Sequence, residues 1–498
     1  SAPNAPSSPD AQTPQPPNGI MVQLESVFDV KRLSGKVFSE DPVPNFTALK
    51  EAYPSGYLTV PSIGAGTANT EFEVLTGMNL YDFGAGEYPY KTILRSSTCE
   101  SLAYSMRALG ASAFALHNNS GTFYERHRIY SSLGFDTFVP LEHMHDVTSN
   151  PLGWAKDAVL TPEILTCMDT TAGTDFVFAV SVQPHGKYPD DTTEPEKDNA
   201  YDLPSIFDRF FDQSAEDGER VGHSSGNVTS GQTKEEGEAM RISVSGIDNP
   251  SLSAQYTYYV NQLYETDLFI GELISALSAR EEDTVLVLYG DHLPCFNYTA
   301  EDMADSSSPY QTEYVIWSNF DTNTADRDLH AYQLSAYTQM AAGLCEGTLT
   351  RLHQSYLSTE EDASAEDTAI TAKEAYLSVL ELLEYDMLYG DQILWDGCNP
   401  YLPSDLQYGV RQIRIHSISV QEQTVYIHGE NFTPFSSVLV NDNAKSTKFI
   451  DSTLLKITLS GLRSGDSFRI VQCGVDRIPL GGSDVFLYAE PSSEDAPK

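Results

Sequence analysis

Basic residues are scarce in this chain, which carries 29 Lys and Arg against 71 Asp and Glu and a formal net charge of -42. Proteins that bind nucleic acid or an anionic membrane surface through a broad face rely on Lys and Arg to neutralise phosphate charge. We therefore predict no nucleic-acid partner. Long apolar runs are also absent, since no stretch of about 18 apolar residues occurs that could cross a bilayer.

Cysteine is scarce as well, with six residues that form no C-x-x-C pair and no short metal-ligand spacing. Cysteine-based zinc sites and disulfide frameworks normally show such spacings, so neither is predicted. We expect most of these thiols to be free and buried, because unpaired cysteine behaves as a small apolar residue.

The composition divides the 498 residues into segments. Residues 1–19 contain six prolines and no aromatic residue, which is typical of an extended linker. A linker there predicts that a leader or a membrane anchor precedes it in the full protein. Residues 409–485 carry eight basic and seven acidic residues, a balance that the acidic remainder lacks. We predict a linker at 1–19, a large domain at 20–408, a small domain at 409–490 and a tail at 491–498.

Apolar runs and amphipathic stretches alternate in the large domain. The apolar spacing in residues 256–277 predicts an amphipathic helix that leads into a strand near residue 285. Repeated alternation of strand and helix predicts an α/β domain with a doubly wound, mostly parallel sheet. Two polar stretches, 190–202 and 212–239, interrupt the pattern and are predicted to be mobile loops or a surface insertion, with a lid over the site as an alternative.

After residue 408 the apolar period changes to two. Short alternating runs predict a small all-β, immunoglobulin-like sandwich with strands at 410–420, 424–427, 437–440, 454–459, 467–471 and 485–488. The run Ile427-His428-Gly429-Glu430-Asn431-Phe432 resembles the IPT/TIG type of immunoglobulin-like domain. That resemblance implies an accessory or spacer module, and no pattern of catalytic residues is visible in it.

Four apolar runs of the large domain lead into polar residues that could bind a metal or a phosphate. These residues are Glu25, His117, His185 and the pair Asp291-His292. Short runs rich in Val, Ile, Phe and Tyr are typical of buried strands, and ligands of open α/β sheets collect at the carboxyl ends of parallel strands. We therefore predict that the four polar positions meet in one site.

The glycine-containing loop of residues 62–72 places Thr67 at the start of a predicted helix. One interpretation is that Thr67 only caps this helix. The other is that the helix N-terminus faces an anion and that Thr67 is a nucleophile. A divalent ion held by Glu25, Asp291 and His292 could bind the threonine hydroxyl, lower its pKa and direct it at phosphorus. The loop alone leaves both interpretations open.

In their order, these motifs resemble the lipoteichoic acid synthase type of phosphoglycerol transferases, within the alkaline phosphatase and sulfatase superfamily. The matching elements lie between residues 24 and 292 and are Leu24-Glu25-Ser26, Gly66-Thr67 with Thr70-Glu71-Phe72, His117-Asn118-Asn119, Phe123-Tyr124-Glu125-Arg126, Ile129-Tyr130 with Leu133-Gly134-Phe135-Asp136, Gln183-Pro184-His185-Gly186 and Tyr289-Gly290-Asp291-His292.

The resemblance implies a set of site residues. One Mn²⁺ or Mg²⁺ ion, rather than Zn²⁺, would bind Glu25, Thr67, Asp291 and His292, with Thr67 becoming covalently glycerophosphorylated. The phosphoglycerol head group would be surrounded by His117, Asn119, Tyr124, Arg126 and His185. The Arg126 guanidinium could pair with two phosphoryl oxygens at once, and His185 or His117 could pass protons to and from the reacting oxygens.

The resemblance also implies a reaction with two in-line steps. Thr67 would take glycerol phosphate from a phosphatidylglycerol-like lipid and pass it to a glycolipid, a glycan or a growing polymer, at the extracellular face of the membrane of a Gram-positive-type bacterium. Tyr124 replaces a tryptophan of the staphylococcal-type enzymes and Asn119 an expected acidic residue, so the acceptor here can differ.

The sequence bears differently on three alternative functions. With water as the acceptor, the same site would be a phosphodiesterase. A sulfatase-type hydrolase needs a Cys/Ser-x-Pro-x-Arg motif, which residues 67–71 do not offer. An inactive surface-binding protein would be expected to have lost a metal ligand, and all four predicted ligands are present.

Overall fold

The computed structural model describes residues 15–84, 86–190, 241–304, 308–322, 324–362, 366–474 and 476–490. The predicted polar stretch 212–239 and the tail 491–498 lie outside these residues. So do all of the stretch 190–202 except its first residue, and all of the linker 1–19 except its last five residues.

The strands before residue 409 form one large sheet and one small ribbon. Their bounds are β1 Asn18–Leu24, β2 Val37–Phe38, β3 Ser55–Thr59, β4 Ser112–His117, β5 Thr137–Pro140, β6 Asp175–Val180, β7 Val244–Ser245, β8 Thr284–Gly290, β9 Gln311–Ser318, β10 Leu329–His330 and β11 Gln407–Tyr408. In the described residues the large sheet has the order β10-β3-β9-β8-β1-β6-β4-β5-β11, and β2 pairs with β7. Its pairings are parallel except those of β9 with β3 and β8, which are antiparallel.

Helices accompany the large sheet along the chain. Their bounds are α1 Pro44–Ala52, α2 Thr67–Thr76, α3 Leu102–Ala108, α4 Arg126–Ser132, α5 Leu160–Met168, α6 Pro250–Ser278, α7 Ala331–Ala341, α8 Thr348–Asp362 and α9 Glu366–Leu388. The predicted helix at 256–277 is α6, which begins earlier because Asn249 caps it by accepting hydrogen bonds from the backbone amides of Ser251 and Leu252. None of the described helices combines the length and apolar character needed to cross a membrane.

Alternate residues of β1 point to opposite faces of the sheet, and each face has its own apolar core. Met21 packs with residues of α2, α3 and α7 on one face. Ile20 and Val22 pack with residues of α1, α5 and α6 on the other. Because strand side chains alternate, a strand buried on both faces reads as a continuous apolar run. The predicted doubly wound, mostly parallel α/β fold is therefore confirmed.

The remaining strands form two antiparallel sheets. Their bounds are β12 Arg414–Gln421, β13 Thr424–Glu430, β14 Ser436–Val440, β15 Asn443–Ala444, β16 Thr447–Asp451, β17 Leu454–Thr458, β18 Ser467–Cys473, β19 Pro479–Gly482 and β20 Phe486–Leu487. One sheet has the order β12-β13-β17-β16, and the other has β15-β14-β18-β19 with β20 on β18. Both contribute to one core, with Val425 and Leu455 from the first sheet and Val438 and Ile470 from the second. The predicted all-β C-terminal part is confirmed.

The expectation that most cysteines are buried is wrong. All six are unpaired, but only Cys99 and Cys167 are buried, while Cys295, Cys345 and Cys398 are exposed. The exposed three lie outside the strands and helices, where the chain does not cover them.

Candidate functional site

Two neighbouring strands bring the predicted acids and His292 to one edge of the sheet. Strand β1 pairs in parallel with β8 so that Leu24 lies opposite Gly290, and the next residues of the two strands are Glu25 and Asp291. A Cβ atom at Gly290 would lie 1.9 Å from the Val27 carbonyl oxygen. Only glycine permits such a close approach of these two backbone segments, and this approach brings Glu25 and Asp291 together.

The ligand atoms of Glu25, Asp291 and His292 lie within 4.8 Å of one another, and all three residues are buried. The His292 Nε2 atom is 3.3 Å from Asp291 Oδ2 and 3.8 Å from Glu25 Oε1. The Nδ1 atom of His292 lies 3.0 Å from the Leu293 carbonyl oxygen and donates to it. In the neutral imidazole this contact places the proton on Nδ1 and leaves the Nε2 lone pair facing the two carboxylates.

The three residues fit one divalent cation. Asp291 Oδ2 is buried and has no hydrogen-bond partner among the described residues. Burial and the neighbouring Glu25 carboxylate raise the pKa of Asp291 to about 7. Burial alone would lower the pKa of His292, but Asp291 and Glu25 outweigh it and raise that pKa, so the site favours positive charge at Nε2. The two carboxylates and the imidazole, together with the nearby Thr67 hydroxyl, are donors that suit a hard or intermediate metal ion.

Thr67 is the first residue of α2, and its hydroxyl points towards the cluster of Glu25, Asp291 and His292. Its Oγ1 donates to Glu25 Oε2 at 3.1 Å and lies 3.5 Å from His292 Nε2. The N-cap of α2 is Gly66, whose φ of 103° is in the left-handed region, and no side chain caps this helix. The interpretation of Thr67 as only a cap is therefore wrong.

His117 ends β4 and presents an unused nitrogen. Its Nδ1 donates to the Val180 carbonyl oxygen at 2.9 Å, and its buried Nε2 has no hydrogen-bond partner among the described residues. Burial and the charge of Arg126 hold the pKa of His117 well below its usual value. The imidazole is therefore neutral, and Nε2 is suited to accept a hydrogen bond or a proton from a bound hydroxyl.

Arg126 is fully buried in an ion pair with Glu71, a residue to which no role was assigned from the sequence. Its Nε and Nη2 atoms donate to Glu71 Oε2 at 3.1 and 2.8 Å. The hydroxyls of Tyr90 and Tyr130 donate to Glu71 Oε1 at 2.8 and 2.7 Å. The Nε and Nη2 edge of the guanidinium is therefore already occupied by Glu71. If Arg126 pairs with two phosphoryl oxygens, as expected, it must use its remaining N–H groups.

Tyr124 lies beside Arg126, with the guanidinium carbon 5.4 Å from the centre of its ring. Its backbone φ is 55°, and its ring is stacked on Tyr88 with centroids 6.4 Å apart and planes 10° apart. Burial is the main reason that its pKa is raised to about 12, so the hydroxyl keeps its proton. A half-buried aromatic ring beside a cation provides one wall of a small pocket.

Asn119 and His185 lie in loops beyond the strand ends. The Asn119 side-chain oxygen accepts from the Ser120 amide at 2.8 Å, which forms a local turn rather than a contact with the metal ligands. The His185 ring packs on Trp154 with centroids 4.6 Å apart. Burial tends to raise the pKa of Glu25, but the nearby His185 and His292 outweigh it and lower that pKa.

A family profile for sulfatases matches residues 17–340 of the chain. The chain belongs to the sulfatase family. The predicted alkaline phosphatase and sulfatase superfamily is thus confirmed. A protein of Rhizobium meliloti (strain 1021) named for cyclic beta-1,2-glucan modification is 28% identical over 318 residues, which make up 61% of this chain and 42% of that protein. The chain spans less than half the length of that relative.

Solved structures of two bacterial enzymes are similar to this sulfatase-family chain. Streptococcus pyogenes phosphoglycerol transferase GacH, in complex with sn-glycerol-1-phosphate, has a TM-score of 0.58 and 20% identity, covering 77% of this chain and 88% of that one. The Listeria monocytogenes lipoteichoic acid synthase LtaP has a TM-score of 0.44 and 17% identity, covering 66% of this chain and 72% of that one. The GacH likeness establishes a common fold.

In this sulfatase-family site, several residues that support the ligands were not recognised in the sequence. Gln23 donates to the Thr67 carbonyl oxygen at 3.0 Å and accepts from the Tyr289 hydroxyl at 2.9 Å. The Ser181 hydroxyl accepts from the Glu25 amide at 3.0 Å. These residues hold the Thr67 loop and Glu25 in place. Their positions in the sequence could have indicated this role. Gln23 lies beside the end of β1, which leads into Glu25, and Ser181 follows the end of β6, which leads towards His185.

We expect Asp291→Asn to change how stability depends on pH in the metal-free protein. The folded pKa of Asp291, about 7, lies above its ordinary value of 3.8, so the folded state binds the extra proton. Its stabilising contribution is complete below pH 3.8 and is lost as the pH rises towards 7. Denaturant unfolding of both proteins from pH 4 to 8 should show a shallower decline for the variant.

The same pair of proteins tests metal binding. Adding Mn²⁺ should raise the melting temperature of the native protein and leave that of Asp291→Asn nearly unchanged, because the variant loses one anionic ligand. Equal stabilisation of both proteins by Mn²⁺ would place the ion elsewhere.

Proposed function

We propose that this chain is a metal-dependent phosphoglycerol transferase. It moves glycerol phosphate from a phosphatidylglycerol-like lipid, through a covalent intermediate on Thr67, to a hydroxyl group of a glycan. The observation that carries the proposal is the position of the Thr67 hydroxyl, 3.1 Å from Glu25 Oε2 and 3.5 Å from His292 Nε2 at the start of a buried helix.

Thr67 favours phosphoryl transfer over sulfate-ester hydrolysis within this family. The sulfatase mechanism depends on an aldehyde made from Cys or Ser. Oxidation of a threonine side chain would give a ketone instead, because its hydroxyl is on a secondary carbon. A threonine hydroxyl that donates to a carboxylate and lies beside a metal cluster is suited to act directly as the nucleophile.

A divalent cation, Mn²⁺ or Mg²⁺, held by Glu25, Thr67, Asp291 and His292 would lower the pKa of the Thr67 hydroxyl and neutralise charge on the phosphoryl oxygens. The chain itself prepares the hydroxyl. Gln23 holds the Thr67 backbone from behind, and Glu25 orients the hydroxyl by accepting its hydrogen bond. Thr67 is the first residue of α2, and the N-terminus of a helix favours a phosphoryl anion.

The reaction takes two displacements at phosphorus. In the first, the Thr67 oxygen loses its proton and bonds to phosphorus, while the bond to the diacylglycerol oxygen breaks and that oxygen takes up a proton. In the second, an acceptor hydroxyl loses its proton and bonds to phosphorus, while the bond between phosphorus and the Thr67 oxygen breaks and that oxygen takes up a proton. The neutral His117 with its unpartnered Nε2 is suited to accept the proton of the second step, and His185 is the candidate donor in the first.

Several groups would hold the phosphoglycerol head group. Arg126 remains charged beside Glu71, and its N–H groups outside that pair are the donors that could contact the head group. Tyr124 and Asn119 flank the head group from the loop between β4 and α4. With Glu71 balancing the guanidinium permanently, Arg126 does not have to move or lose solvent when the substrate arrives.

A glycan acceptor is supported by the name of the Rhizobium meliloti relative, which refers to modification of a cyclic glucan. We place the reaction at the extracellular face of the cell membrane, because the donor is a lipid. An accessory role for the IPT/TIG-like C-terminal part belongs to the same proposal.

The test is head-group transfer from phosphatidylglycerol labelled in its glycerol phosphate. We expect label to appear on a neutral beta-glucan, to stop after chelation and to resume when Mn²⁺ is added back. Label released only as free glycerol phosphate, whatever acceptor is present, would make the protein a phosphodiesterase. Absence of any metal-dependent turnover would favour an inactive binding protein.

A further inference from the structure

We infer that the C-terminal β unit, comprising β12 to β20, is a positioning element of the active site. It holds the loop of residues 118–125, which carries Asn119 and Tyr124 and leads into Arg126, and it does so mainly through Glu142. The inference concerns the proposed function, because the loop is the predicted head-group contact. The contacts themselves do not depend on what the substrate is.

The connection starts in the loop between β13 and β14. The Thr433 hydroxyl donates to the Glu142 carbonyl oxygen at 2.8 Å and accepts from Gln472 Nε2 at 3.0 Å. All three residues are buried. Next to them, His143 Nε2 donates to the Leu480 carbonyl oxygen at 2.5 Å. The segment that follows β5 is thus fixed to the C-terminal unit by buried polar contacts, which require good geometry to be satisfied.

The Glu142 side chain continues the connection to the 118–125 loop. Its Oε2 accepts from the Gly121 amide at 3.1 Å, and its Oε1 accepts from the Ser120 hydroxyl at 3.2 Å. Glu142 therefore joins a backbone that is held by the C-terminal unit to the loop beside the site.

Close packing reinforces this contact. A Cβ atom at Gly121 would lie 2.8 Å from Pro140 and 3.1 Å from Leu480 of β19, and a Cβ atom at Gly474 would lie 3.1 Å from Thr122. The tightest of these contacts is with Pro140 of β5, while Leu480 of β19 is close enough that a side chain at Gly121 would have to displace it slightly. The C-terminal unit thus packs directly against the loop.

A second, apolar route reaches the other side of the site. Phe435 is buried in a cluster with Leu141, Ala155 and Val182, and Trp154 packs against this cluster. The Trp154 ring in turn packs on the His185 ring. The C-terminal unit thus lies behind both the head-group loop and the candidate proton donor, although it contributes no residue to the metal cluster.

Amide hydrogen exchange, followed by mass spectrometry of the metal-loaded full chain, tests the positioning role. We expect Glu142→Ala to speed exchange in residues 118–126 by about tenfold or more, and Phe435→Ala to do the same in residues 181–188, since both remove contacts that hold these segments closed. The matched control is Ile457→Ala, which weakens the buried core of the C-terminal unit away from the large domain. Unchanged exchange at 118–126 in a folded Glu142→Ala protein would overturn the inference, and so would an equal increase in Ile457→Ala.

Kinetics supply a second readout. Glu142→Gln keeps one acceptor and the shape of the side chain, so we expect a KM for the lipid donor raised about threefold to tenfold with kcat within about twofold. A drop in kcat with KM unchanged would contradict positioning of the head group. If the native protein shows no transfer at all, the proposed function fails, whereas the exchange experiment still decides the positioning role.

Discussion

Replacing Thr67 with alanine should lower the rate of head-group transfer by at least about a thousandfold, because the proposed covalent intermediate forms on the Thr67 hydroxyl. Glu25, Asp291 and His292 keep their positions in this variant, so a divalent ion should still bind with a modest loss of affinity. Initial rates with labelled phosphatidylglycerol and calorimetric titration with Mn²⁺ separate the loss of chemistry from the loss of metal.

Two further substitutions control the Thr67 prediction. Thr67→Ser keeps a hydroxyl next to Glu25 and should retain measurable transfer, whereas Thr67→Val keeps the shape without the hydroxyl and should be as inactive as Thr67→Ala. Turnover of Thr67→Val within about tenfold of the native rate would show that the hydroxyl is not the nucleophile.

Replacing Glu71 with leucine should destabilise the fold by about 3 to 5 kcal/mol, because it leaves the Arg126 charge buried without its partner. Both side chains of this pair are fully buried at an N–O distance of 2.8 Å. The hydroxyls of Tyr90 and Tyr130 also lose their acceptor. Urea unfolding at pH 7 measures the effect on the free energy of unfolding.

A double replacement separates the free-energy cost of leaving the Arg126 charge unpaired from the cost of lost side-chain packing. Glu71→Leu combined with Arg126→Met removes both charges, so it should recover most of the lost stability while transfer stays abolished. A cost below about 1 kcal/mol for Glu71→Leu alone would mean that solvent reaches Arg126 and that the pair is not a fixed part of the site.

That Glu25, Asp291 and His292 lie close together could be predicted because strand ends are visible in the sequence. Four apolar runs led into Glu25, His117, His185 and the Asp291-His292 pair, and parallel pairing of β1 with β8 joins two of them directly. The apolar runs are continuous because β1, β6 and β8 are covered on both faces. Hydrophobic burial therefore encodes both the sheet and the edge at which the ligands meet.

Glu71 was missed because a charged residue inside a helix is normally exposed. All ten residues of α2 are buried, however, so this helix has no solvent face. A usable signal was the spacing: Glu71 lies four residues after Thr67, and residues four apart share one face of a helix. The partner of Glu71 could not be inferred, since Arg126 is 55 residues away along the chain.

The contact between the C-terminal unit and the head-group loop, residues 118–125, also could not be predicted from the sequence. Thr433 and Glu142 are separated by 291 residues, and neither lies in a patterned run. The strand β16, Thr447–Asp451, escaped prediction because its half-exposed residues show little apolar alternation. Local periodicity reports which face of an element is buried, but it does not report which distant element covers that face.

Mass spectrometry of Thr67 after brief incubation with phosphatidylglycerol and Mn²⁺, without an acceptor, tests the central claim most directly. The account predicts a glycerol phosphate adduct on the peptide that contains Thr67, which disappears when a glucan acceptor is added and is absent after chelation and in Thr67→Val. Metal-dependent turnover of the lipid with no adduct at Thr67, or with an adduct on another residue, would contradict it.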